Sequence, residues 1–423
     1  MSSIRRFYLL ITAFITALIP VLAGGGAAHA TPQRAPIVLF PAFHFTKLQF
    51  TVKNQQVDAS CPASGTFEDF YPNPAPSTTF SQVCRDKLMT LSYNSDPALP
   101  MAERFSNPTG VTVAQPLYGK VASAPAYDVM FNHLEAEGWV LDQNVRVAGY
   151  DARLTPDMDG FIEKTKQLIE DTYADNGHVP VHLAAHSNGA NYAQYLLTKM
   201  TPQWKAQYIH GFTPIAGNWP GQGLLYTALF TGLNINDTFA FPVTSENASS
   251  SAQMYLSAPS SYMSAASPAY FGDQVTVIAD ASTGTEYTPA DFRDLLDNPG
   301  MPDQVLEVAN HYLGFLPFQA PGYPNVDVFA EKASGISTLV GVTLPDLTVG
   351  QVLDFSLPLF IRDGDGNQED ITNDAIAGWS GMACHKFEMT NTVGVDHFAL
   401  PSDSGLLNRL VTHALTAPSN CPA

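Results

Sequence analysis

The sequence predicts an α/β protein in which a mainly parallel sheet is flanked by helices. Three observations carry this. Short apolar, β-branched runs alternate with amphipathic segments of helical period between residues 36 and 217. One serine stands between such a run and such a segment in "AAHSNGANYAQYLL" (184–197). The chain has 423 residues, 45% hydrophobic and 14% charged, which is enough apolar material for one large core with insertions.

In chain order, "PIVLFPAF" (36–43) reads as a buried strand ending at a turn. Residues 55–120 are rich in Pro, Ser, Asn and aromatics and read as an insertion over the core. A helix is expected over 126–139, carrying Val129, Met130 and Leu134, and a strand in "NVRVAGYD" (144–151). A longer helix follows, with Thr155 as N-cap, Pro156 in its first turn, Phe161, Ile162, Leu168 and Ile169 on one face, and Gly177 as its stop. "HVPVHLAA" (178–185) is a strand, and Ala193, Leu196, Leu197 and Met200 mark one face of the next helix. "YIHGFTPIAG" (208–217) is a further strand. Residues 218–320 lose the pattern and read as a second insertion, or cap. Strands resume near 325–330 and 354–362, and a last helix lies near 405–415.

Ser187 therefore occupies a strand-to-helix turn, with Gly189 allowing the backbone to turn tightly beside the helix. That is the nucleophile elbow G-x-S-x-G of α/β-hydrolases, with Ala185 in place of the first glycine. A capping serine is the alternative reading of the pentad alone. A serine nucleophile needs a base, and the base needs an orienting carboxylate, in the chain order Ser, Asp or Glu, His. Asp363 and Asp365 follow the late strand, and His397 falls in the loop before the last helix; His413 lies within that helix and His385 adjoins Cys384. Two backbone N–H groups are expected to form the oxyanion hole, those of Asn188 and Phe43. Asp363-x-Asp365-x-Asn367 also resembles the start of a calcium loop, but Gln368 stands at the sixth position and Asp374 at the twelfth, where Gly and Glu are required. No metal and no cofactor is expected.

Twenty Lys and Arg against 39 Asp and Glu give a net charge of −19, so net charge does not draw the chain to nucleic acid. Arg5 and Arg6, an apolar run and Ala28-x-Ala30 read as a signal peptide over residues 1–30, leaving 31–423 as the mature chain, secreted or lumenal. The mature chain keeps four cysteines, enough for two disulfides; of three connectivities the local one, Cys61–Cys84 and Cys384–Cys421, is expected. Asn236 and Asn247 begin N-glycosylation sequons.

Together these residues resemble the lecithin:cholesterol acyltransferase and lysosomal phospholipase A family. Its A-H-S-x-G elbow stands here as Ala185-His186-Ser187-Asn188-Gly189, and its P-Y-D-W-R stretch is echoed by "GYDARLTP" (149–156). Its G-D-G-T-V acid motif is echoed by Gly364-Asp365-Gly366, which favours Asp365 as the acid, but Asn367 and Gln368 replace its Thr-Val. Pro41-Ala42-Phe43 corresponds to its oxyanion segment, with Ala42 for a turn glycine, and Cys61 and Cys84 match its early lid disulfide. The resemblance implies a serine-dependent lipid acyl hydrolase or O-acyltransferase acting on glycerophospholipid esters through an acyl-enzyme. The catalytic residues would be Ser187, Asp365 and His397. Its partners would be a phospholipid membrane or lipoprotein-like surface and an acceptor alcohol, in a secreted, lysosomal or vacuole-like setting. Phe67, Phe70, Tyr71 and Phe80 lie between the first two cysteines, where they would serve a lid that touches the lipid surface or form the insertion's own core. A secreted esterase on soluble esters and a non-catalytic lipid-binding protein of the same fold are the alternatives.

Overall fold

The computed structural model describes residues 34–73, 77–233, 247–313, 322–381 and 384–421. The proposed signal peptide (1–30) and Asn236 lie outside them. Six strands form the main sheet, in the spatial order Phe387–Val393, Val328–Ser334, Ile209–Ile215, Val181–His186, Ile37–Phe40 and Val145–Val147. Every neighbouring pair is parallel.

Side chains alternate across this sheet as the two-residue period requires. Ile37 and Leu39 point into one core with Met130, Phe131 and Leu134 of helix Asp128–Ala136 and Leu406, Leu407 and Leu410 of helix Ser404–Leu415. Val38 and Phe40 point into the other, with Phe161 and Ile169 of helix Phe161–Asp175 and Leu196 and Leu197 of helix Asn188–Lys199. Both faces are therefore covered, as a parallel sheet demands.

The helix expected from Thr155 begins six residues later, at Phe161. Residues 155–160 form turns instead, with Met158 N–H donating to Thr155 O (3.0 Å) and Gly160 at φ +58°. The buried Thr155 hydroxyl donates to Asp157 Oδ1 (2.6 Å).

Two smaller sheets sit outside the main one. Ser64–Asp69, Leu48–Lys53 and Val111–Ala114 pair antiparallel in that order, so the first insertion's sheet reaches back to Leu48. The second sheet joins Thr285–Tyr287, Ile278–Asp280, Ile336–Leu344 and Leu359–Gly364. The strand expected at 354–362 is thus the strand Leu359–Gly364, and it belongs to this second sheet rather than to the main one.

Of the two roles open to the aromatic residues of the first insertion, burial selects the insertion core for Phe67 and Phe80 and removes them from the lipid-facing set. Phe67 stands opposite Phe50 and stacks on it at 4.7 Å, and Phe80 packs against Phe67 at 5.2 Å. Both are almost fully buried, so Phe67 and Phe80 form the insertion's own core and do not face a lipid surface. Tyr71 is half-buried against Phe45 (5.3 Å), and the half-buried Phe70 lies under the Lys47 ammonium.

Cys61 is bonded to Cys84 and Cys384 to Cys421. The first bridge anchors helix Gln82–Met89, whose buried Asp86 accepts from Ser250 (3.0 Å) and Ser251 (2.6 Å) of helix Ala248–Ser257. Arg153 ties the same region to the core: it pairs with Asp151 (2.6 Å) and donates to Met89 O (2.8 Å). Among the described residues no helix is long and apolar enough to cross a membrane.

Candidate active site

The strand order reverses between Ile37–Phe40 and Val181–His186, so the loops leaving these neighbours diverge at the carboxyl edge of the sheet. Such a switch point is where open α/β sheets bind ligands. The register sets Phe40 beside Ala185, which brings Pro41-Ala42-Phe43 next to Ser187. Ser187 has φ +55° and ψ −126°, a backbone conformation that costs a non-glycine residue about 1–3 kcal/mol. Its N–H donates to Ile215 O (2.8 Å), and Asn218 N–H donates to Ser187 O (3.3 Å). Gly189 is required where it stands: a Cβ there would overlap the carbonyl oxygens of Phe40 and Pro41.

Asp365 follows the strand Leu359–Gly364 and is fully buried. Its Oδ1 accepts the backbone N–H groups of Asn367 (3.0 Å) and Gln368 (2.7 Å), and its Oδ2 meets His397 Nδ1 at 2.8 Å. His397 N–H donates to Asp365 O (2.8 Å), so backbone and side chain lock the pair together. A carboxylate only accepts, so His397 Nδ1 carries the proton and Nε2 is left as a base. Asp363 lies on the strand itself, exposed, opposite Ser337. The two aspartates therefore share no ligand direction, and Asp365 is already committed to four donors, the fourth being Asn373 Nδ2, 3.5 Å from Oδ2.

Ser187 is 7% exposed and His397 1%, so the site is covered. The Gln368 amide Nε2 donates to Ser187 Oγ at 3.2 Å. Among the described residues no hydrogen bond joins Oγ to the His397 ring; such bonds often tighten only when substrate is bound. Glu369, next in the chain, accepts Gly223 N–H (3.0 Å), and burial pushes its carboxyl up to about 7.

A second chain of bonds runs behind Ser187. Ala42 N–H donates to Tyr127 Oη (2.8 Å), and that oxygen lies 2.9 Å from His186 Nδ1. His186 Nε2 lies 3.1 Å from His397 O. A carbonyl can only accept, so His186 carries its proton on Nε2 and the Tyr127 hydroxyl donates to Nδ1. Burial, reinforced by the neighbouring His397 ring, holds the His186 imidazolium pKa well below its usual range, so the ring is neutral. The chain thus joins the Ala42 turn, the elbow and the His397 loop. Replacing Tyr127 by Phe leaves the Ala42 N–H and His186 Nδ1 buried and unpaired. The expected result is a loss of about 1–3 kcal/mol in stability to chemical denaturation. An unchanged denaturation midpoint would show that the bridge carries no weight.

Of the expected oxyanion donors, Asn188 is the first residue of helix Asn188–Lys199, where backbone N–H groups have no intrahelical acceptor. Phe43 sits in the turn one residue beyond Ala42, its ring stacked on His44 (4.5 Å). Asn247 lies half-buried at the start of helix Ala248–Ser257. Sequence reasoning gave Tyr127, Asn218 and Gln368 no role. Gln368 left a signal, as a departure from the acid motif. A groove of about 680 Å³ lined by Lys205, His210, Asp327 and His385 opens at the opposite, amino edge of the strands, away from Ser187.

The family model for lecithin:cholesterol acyltransferase matches residues 84–311, more than half of the chain; Ser187 lies within the match, Asp365 and His397 beyond it. Mouse (Mus musculus) phosphatidylcholine-sterol acyltransferase is 33% identical over 141 residues, 31% of this chain and 32% of that protein. The rat (Rattus norvegicus) protein of the same name is 26% identical over 313 residues, 69% of this chain and 66% of that protein. The aligned stretches thus span about a third of the mouse protein and just under two thirds of the rat protein. In fold, the chain resembles one in the crystal structure of the Tle4–Tli4 complex, with a TM-score of 0.54 and 13% identity over 90% of this chain and 99% of that one. The fold is that of the α/β-hydrolases, and the chain belongs to the lecithin:cholesterol acyltransferase family.

Proposed function

We propose that the protein is a serine-dependent lipid acyl hydrolase and O-acyltransferase that acts on glycerophospholipid esters through an acyl-enzyme. The observation that carries this reading is the Asp365–His397 pair at 2.8 Å, held at the same edge of the sheet as a serine in a strained elbow. Ser187 Oγ attacks the ester carbonyl while His397 Nε2 takes its proton. Asp365 holds the imidazole in the tautomer that leaves Nε2 free and stabilises the imidazolium. The N–H groups of Phe43 and Asn188 receive the oxyanion. His397 returns the proton to the leaving alcohol, and the acyl chain passes to water or to an acceptor alcohol.

The activity for which the mouse and rat relatives are named supports a phosphatidylcholine-like donor and an alcohol acceptor. The partner is then a phospholipid membrane or lipoprotein-like surface, and the setting secreted or lumenal, which the two disulfides favour. Residues 55–120 serve as lid and about 218–320 as cap; the bonds from Asp86 to Ser250 and Ser251 join the two.

The test is product analysis on phosphatidylcholine liposomes, with and without a sterol. Free fatty acid and lysophospholipid, with sterol ester when the sterol is present, are expected. Cleavage of a soluble p-nitrophenyl ester with intact liposomes would replace this reading by a secreted esterase. Inertness to a fluorophosphonate probe would replace it by a non-catalytic lipid-binding protein.

A further inference from the structure

Gln368 is the feature of the site that the family motif does not account for. It is fully buried, and its Nε2 donates to Ser187 Oγ, yet its Oε1 has no hydrogen-bond partner among the described residues. The same holds around Ser187. Asn218, whose N–H donates to Ser187 O, leaves its buried Oδ1 unpaired among those residues, and Asn188 leaves its Nδ2 unpaired. Asn191 donates to Asn188 Oδ1 (3.2 Å) and Asn218 O (2.9 Å) and leaves its own Oδ1 unpaired. Buried polar side-chain atoms are normally paired. Four unpaired ones in residues bonded to the nucleophile, or to its immediate neighbours, mark a surface that a polar ligand completes.

The character of that ligand follows from the atoms. Three are carbonyl oxygens and one is an amide nitrogen, so the surface asks chiefly for hydroxyl donors. We infer that Gln368 forms a subsite for the second hydroxyl of a vicinal diol, so that the alcohol received at Ser187 is a polyhydroxy one. The inference rests on the acyl-enzyme reading proposed above. In the transfer step the reacting hydroxyl oxygen bonds to the acyl carbon and its proton moves to His397 Nε2. The bond from that carbon to Ser187 Oγ then breaks, and Oγ takes the proton back. The hydroxyl on the adjacent carbon donates to Gln368 Oε1 throughout. The two ends of one carboxamide span the short separation of hydroxyls on neighbouring carbons, and a mono-alcohol has no second donor to offer. Valine, the residue of the family motif at this position, presents no acceptor.

The test partitions a single acyl-enzyme between two alcohols. The protein is given a phosphatidylcholine donor with 1,2-propanediol and 1-propanol at equal concentration, and the two primary esters are quantified. Both arise from the same intermediate, so their ratio is independent of how fast it forms. The diol ester is expected to exceed the propyl ester by about fivefold to tenfold, the worth of one added buried hydrogen bond. In Gln368→Val and in the shape-preserving Gln368→Met the ratio falls to about one. A ratio near one in the wild type would overturn the inference and assign the unpaired atoms to ordered water. So would a ratio that survives in both variants, or fatty acid release with neither ester formed. Absence of fatty acid and both esters, with Ser187 unlabelled by a fluorophosphonate, would overturn the acyl-enzyme reading itself.

Discussion

Ser187→Ala is expected to lower ester turnover by about four to six orders of magnitude, since it removes the proposed nucleophile and with it the acyl-enzyme route. The fold should be kept, at a stability loss of no more than about 1–3 kcal/mol from the unpaired Gln368 amide. The hydroxyl accepts one amide bond, from Gln368, while the backbone bonds that fix the elbow, to Ile215 O and from Asn218 N–H, do not involve the side chain. The measurement is kcat/KM on phosphatidylcholine liposomes and on a soluble ester, beside a thermal melt. Activity within tenfold of wild type, on either substrate, would remove Ser187 from the mechanism.

Asp365→Asn is expected to cost about four orders of magnitude in turnover, while Asp363→Asn costs less than a factor of about three. The reason lies in the two backbone donors. The N–H groups of Asn367 and Gln368 both point at Oδ1, so an asparagine must keep its carbonyl there. Its amide nitrogen then faces His397 Nδ1, which is forced to accept and to move its proton to Nε2, where a base is needed. Asp363, exposed on its strand, has no such link to the ring. Turnover of the two variants at neutral pH gives the ranking, and the reverse order would transfer the orienting role to Asp363.

The elbow was legible because its signals are local: an apolar strand, small residues where backbones meet, and a helical face immediately after. Gly189 illustrates this, since the overlap that forbids a Cβ there is with the neighbouring strand end, a property of any such turn. What was not legible depends on partners distant in the chain. Phe387–Val393 buries its side chains only partly at the edge of the main sheet, so it presents no apolar run. The strand before Asp365 reads as a strand, but nothing local says that it pairs with Ile336–Leu344 rather than joining the main sheet. Phe67 and Phe80 look the same whether they meet lipid or each other; the register that sets Phe67 opposite Phe50 decides it. Ala193, Leu196, Leu197 and Met200 predict a one-sided helix after Ser187, yet Asn188, Asn191 and Gln194 are buried too. From Asn188 to Leu197 that helix is enclosed on all sides, which a period of apolar residues cannot reveal.

The neutral ring of His186 has a consequence for how replaceable the proposed base, His397, is. It lies 4.8 Å, centre to centre, from the ring of His397, near enough to invite substitution of one for the other. Yet its lone pair is occupied by the Tyr127 hydroxyl and its proton is directed at a backbone carbonyl. Taking a proton from Ser187 would require His186 to become a buried cation and to break the bond that keeps Tyr127 and Ala42 in place. Two imidazoles therefore share one neighbourhood without redundancy: the loss of His397 has no backup in the spare histidine beside it.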